Sequence, residues 1–136
     1  MVIMSFISFS IIEKEHPKAI LLDLDNTLYE YEACHRHALR VCHRYFETIK
    51  DMSFEQFARA YDEARARVKR HTTGHAASHS RLLYFQVFLE TCFNATRVDL
   101  TLKLEEWYWR GFFEKMRLRE GVLDVLRACK RNHIKI

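Results

Sequence analysis

Two carboxylates set two residues apart, Asp23 and Asp25, stand directly after the apolar run Ala19-Ile20-Leu21-Leu22, and a hydroxyl, Thr27, follows. Carboxylates this close repel each other and are costly to bury unpaired. A fold that keeps them together therefore needs a cation, hydrogen bonds or a shared proton. A hard ion such as Mg2+ is the natural partner for such oxygen donors. Beside a phosphate ester, one carboxylate could attack phosphorus, and its neighbour could give a proton to the leaving alcohol and later take one from water.

The elements that must position this pair can be read from the apolar spacing. Ala19–Leu22 has no polar alternation, which predicts a strand covered on both faces, and ligands of open α/β sheets sit at the carboxyl ends of such strands. Tyr31, Cys34, Ala38, Cys42, Tyr45 and Ile49 then recur at the helical period, with Leu39 and Phe46 beside them. Ser53 and Gln56 form a capping box for a second helix carrying Phe54, Phe57, Tyr61, Ala64 and Val68 and ending near His71. Thr72 to His79, with Gly74 inside, reads as a linker, and Leu82 to Phe93 is apolar on almost every side, as in a central helix. Asp99 or Thr101 can cap a fourth helix with Leu104, Trp107, Tyr108 and Phe112, in which Gly111 is a tolerated cost of about 1 kcal/mol against alanine. A fifth helix over Val122 to Cys129 leads into Ile134-Lys135-Ile136, which reads as the start of a second strand. The apolar stretch Val2 to Ile12 lacks a basic flank and a cleavage site and is too short to span a bilayer, so it reads as an extra strand or a tail.

Asp23-Leu24-Asp25-Asn26-Thr27-Leu28-Tyr29 resembles the first motif of the haloacid dehalogenase-like (HAD) hydrolase superfamily, a hydrophobic strand followed by Asp-x-Asp-x-Thr. The helical stretch after it is about the size of the small cap these enzymes insert, and Glu120-Gly121-Val122-Leu123-Asp124-Val125-Leu126 looks like their return to the core. The resemblance implies an α/β fold: an incomplete Rossmann-like core, with a first strand and the start of a second, around an inserted all-helical cap. The corresponding divisions are residues 1–17 as an N-terminal extension, 18–29 and 118–136 as partial core, and 30–117 as cap. It further implies Asp23 as nucleophile and metal ligand, Asp25 as general acid/base and metal ligand, Thr27 near the phosphate, and Mg2+ as cofactor. Cap loops set substrate choice in similar enzymes, so His75, His79 and Arg81 are expected to help bind an anionic or polar substrate. The expected activity is Mg-dependent hydrolysis of a small phosphorylated metabolite through an aspartyl-phosphate. A 2-haloacid dehalogenase-like reaction is disfavoured because Asp25 is present and halide leaves without a proton. A non-catalytic binding remnant is the other alternative. The superfamily's later motifs have no counterpart before Ile136, so the resemblance implies a truncated chain, nearly inactive alone.

Composition sets wider bounds. A chain of 136 residues, 49% hydrophobic and 13% aromatic, suits one soluble domain, and three glycines and one proline leave few breaks between helices. Four cysteines without a Cys-x-x-Cys pair fit packing roles in a reducing cytoplasm. The net charge of +4 is concentrated between Arg59 and Arg81, which reads as a solvated helix face rather than a nucleic-acid interface. Zinc sites are disfavoured at His71, His75 and His79, where Gly74 interrupts the helix, and around Cys34 and Cys42, whose neighbouring histidines should fan outward. Trp107 and Trp109 read as core filling.

Overall fold

A computed structural model describes residues 17–136. The Val2 to Ile12 stretch, and with it the strand-or-tail reading, lies outside the described residues. Five α-helices follow in order: α1 Tyr31–Phe46, α2 Phe54–His71, α3 Arg81–Phe93, α4 Val98–Lys115 and α5 Val122–Arg131. A short 3-10 turn, Ala76–His79, precedes α3.

The expected α/β core is not there. The described residues are 66% helical and contain no strand. Ala19–Leu22 forms one isolated parallel bridge, Ala19 to Lys135, in which the Ile20 amide donates to the Lys135 carbonyl at 2.8 Å and the Lys135 amide to the Lys18 carbonyl at 3.1 Å. A strand needs a ladder of successive pairs, and an apolar run that pairs at a single residue does not make one. Nor is the run covered on both faces, since Leu21 is 99% exposed. Ile134-Lys135-Ile136 likewise contributes only its half of that bridge.

The chain divides into two compact units. One consists of the described residues up to Glu30 together with Arg117–Ile136, and the other of Tyr31–Met116. In the first, Tyr29 bridges Leu118, the Arg119 amide donates to the Leu28 carbonyl at 2.9 Å, and α5 buries Cys129.

The second unit is a helical bundle in which α1 packs along α4, and α3 along both α2 and α4. Its core is aromatic: Phe46, Phe57, Tyr61, Tyr84, Phe85, Phe88 and Tyr108 are all fully buried. Ser53 closes its capping box with Gln56, accepting from the Gln56 amide at 3.2 Å while the Gln56 side chain accepts from the Ser53 amide at 2.9 Å. Neither Asp99 nor Thr101 caps α4. Its N-cap is Arg97, and the Thr101 hydroxyl instead donates back to the Arg97 carbonyl at 2.8 Å.

Gly111 is more than a tolerated breaker. A Cβ there would meet Val41 Cγ2 at 2.9 Å and the Ala38 backbone at 3.1 Å, so its missing side chain sets how closely α4 approaches α1. Cys34, Cys42 and Cys129 are buried, and Cys92 is partly exposed. The Cys42 thiol donates to the Leu104 carbonyl at 3.3 Å, and burial pushes its pKa up. Among the described residues, no helix is long and apolar enough to cross a membrane.

Candidate active site

Asp23, Asp25 and Thr27 share one tight turn in the first unit. The Thr27 and Leu28 amides both donate to the Leu24 carbonyl, at 3.2 and 3.0 Å, and Asn26 takes the left-handed conformation, with φ 60°, that Asn tolerates better than most residues. The sequence here therefore chooses a turn over a continued strand. Thr27 fixes that turn through its backbone, which commits its amide.

Both carboxylates are exposed. This corrects the premise that the pair must be compensated for burial, since water solvates both groups. The Tyr29 hydroxyl donates to Asp25 Oδ1. Tyr29 itself is buried, so a hydroxyl on a buried side chain holds the exposed Asp25 carboxylate. The period of the motif gave Tyr29 no role; only the turn, which returns residue 29 to residue 25, reveals it. Among the described residues no Lys or Arg lies within ion-pair distance of either aspartate.

The donor set suits a hard cation in part. Mg2+ is commonly held by one or two carboxylates, with waters and substrate oxygens completing the octahedron, and Asp23 with Asp25 supplies that much. No group of three or more His, Cys, Asp or Glu side chains among the described residues is arranged for a metal.

His75, His79 and Arg81 belong to the helical unit. His75 and His79 are exposed at the two ends of the 3-10 turn. Arg81 opens α3, and its side chain turns inward: Nη2 donates to the Tyr31 hydroxyl at 2.7 Å and Nη1 to the His79 carbonyl at 2.8 Å. The guanidinium carbon lies 5.6 Å from the ring centres of both Tyr84 and Tyr108 and 5.7 Å from that of Trp109. Trp109 is thus only partly core, facing a cation as well.

His35 is buried and bonded through Nδ1 to the Tyr108 hydroxyl at 2.7 Å. Burial first, then the nearby charges of Arg65 and Arg81, lower its pKa to about 4. A neutral ring carries one N–H, so the tautomer of His35 sets which of the two donates, and the Tyr108 hydroxyl also takes a hydrogen bond from Arg81. Sequence spacing placed Tyr61 and Tyr108 in the core but gave no sign that their hydroxyls would meet a guanidinium. That convergence depends on three helices packing at one level.

The chain is 37% identical over 119 residues, 87% of its length, to a ribulose-1,5-bisphosphate 5-phosphatase of Halopiger xanaduensis. It spans about half the length of that relative. A match of 119 residues within 136 includes Asp23 and Asp25 wherever it begins. No family model matches the chain, and no solved structure matches it.

Proposed function

We propose that this chain carries the nucleophile of an HAD-type phosphohydrolase acting on a small phosphate ester. The observation that carries the reading is the exposed Asp23/Asp25 pair on a fixed turn, within a stretch 37% identical to a protein named as a sugar bisphosphate phosphatase.

A carboxylate oxygen of Asp23 attacks phosphorus as the bond to the ester oxygen breaks. Asp25, steadied by Tyr29, gives its proton to the departing alkoxide. Water then attacks the phosphorus of the aspartyl-phosphate, Asp25 takes up its proton, and inorganic phosphate leaves with Asp23 restored. Mg2+, held by Asp23 and by the main-chain carbonyl of Asp25, would neutralise charge on the phosphoryl oxygens.

The test is phosphate release from sugar phosphates with magnesium, for the chain alone and for a fusion to the relative's unmatched half. Asp23→Asn should abolish turnover in the fusion. Asp25→Asn should slow it by about 10² to 10⁴-fold, and by less for p-nitrophenyl phosphate, whose leaving group needs no proton. The chain alone should run at least about 10²-fold slower than the fusion, as expected when the relative's unmatched half adds electrostatic donors to the phosphate. Undiminished turnover in Asp23→Asn would sink the proposal.

A further inference from the structure

The cluster around Arg81 is polar in a way that aromatic packing alone does not require. Among the described residues no carboxylate lies within ion-pair distance of this partly buried guanidinium. Its hydrogen-bond partners are neutral: a carbonyl and tyrosine hydroxyls. Buried cations are ordinarily paired, because neutral partners offset only part of the lost hydration.

Two polar atoms of the cluster also lack partners. Arg81 Nε is buried with no acceptor, and so is the hydroxyl of Tyr61, whose side chain is 0% exposed. Both are donors. Burial raises the Tyr61 pKa, so the phenol keeps its proton. The neighbouring hydroxyls are committed elsewhere: Tyr108 to His35, and Tyr84 to the Ser78 carbonyl. A positive charge without a counterion, beside two donors without acceptors, is complemented by one kind of guest, a group with negative oxygens. A second guanidinium, Arg65, acts on His35 and Tyr84 and reinforces the sign of the field.

We propose that Arg81 and Tyr61, within the helical unit, form an oxyanion-binding site that takes a phosphate group of a small phosphorylated ligand. The need for an oxyanion stands on the cluster itself; the choice of phosphate over carboxylate rests on the phosphatase reading above. Phosphate suits the fork of Arg81, which can offer Nε–H and an Nη–H side by side.

The test titrates inorganic phosphate, with acetate as comparator, into the 136-residue chain in the absence of magnesium. Tryptophan emission, from Trp109 beside Arg81, and the thermal midpoint are both followed. Phosphate should produce a saturable emission change and raise the midpoint, with acetate at least about tenfold weaker. Arg81→Gln should remove the response. Tyr61→Phe, which keeps the packing and deletes only the hydroxyl, should weaken it about tenfold. Asp23→Asn should leave it intact, which separates this site from the catalytic pair. No saturable response in the wild-type chain, or one unchanged in both Arg81→Gln and Tyr61→Phe, overturns the site. Acetate binding as tightly as phosphate overturns the phosphate assignment.

Discussion

His35 shows how one side chain ties the stability of the helical unit to pH. Unfolded, it takes up a proton near pH 6.5; folded, only near pH 4, because burial and two guanidinium groups disfavour a third positive charge. Between those values the unfolded chain binds more protons, so stability falls as pH falls. His35 contributes fully above pH 6.5 and loses a contribution of the order of 3 kcal/mol by pH 4. His35→Gln, which keeps a hydrogen-bonding group beside Tyr108, should flatten urea-unfolding stability across that window; an unchanged slope would remove His35 from the account. At the same scale, Tyr29→Phe frees Asp25 to rotate. In the fusion it should lower kcat by about tenfold with KM little changed, measurable on any phosphate ester the fusion hydrolyses.

Among the helices, α4 carries the sharpest expectation. Gly111→Ala gains intrinsic helix propensity of about 1 kcal/mol but drives a methyl against Val41 and the Ala38 backbone. Because a backbone atom cannot swing aside as a side chain can, overpacking should win. A net loss of about 1 to 3 kcal/mol is expected in chemical denaturation. A stabilised variant would show that α1 and α4 can separate at little cost. The basic stretch between Arg59 and Arg81 also resolves at this scale. Arg59, Arg67 and Arg70 are exposed along α2, whereas Arg65 and Arg81 reach the tyrosine cluster. The charge run is therefore two features, one solvated and one inward.

For the whole molecule, the division into two units sets the order of unfolding. Tyr31–Met116 has its own aromatic core, while among the described residues the other unit buries little beyond Tyr29 and Cys129. Hydrogen exchange should find the slowest amides in α1, α3 and α4, and fast exchange at Leu21 and along α5. Slow exchange at Leu21 would contradict its exposure here. The same division explains what could be read in advance. The helices of the bundle, with the Ser53 capping box, were legible because amphipathic period and caps are local signals. The strands expected at Ala19 and Ile134 do not form among the described residues, because a strand depends on lateral partners that no local pattern reports. The aspartate pair was legible from its spacing, but its exposure and the Tyr29 contact were not, since both depend on the path the chain takes through the turn.

The burial of the thiols has a practical consequence. With Cys34, Cys42 and Cys129 enclosed, a maleimide dye applied to the native chain should attach at Cys92 alone, and slowly, because burial also raises that thiol's pKa. Near the end of α3, such a dye would give the helical unit a single-site optical reporter without any cysteine having to be removed.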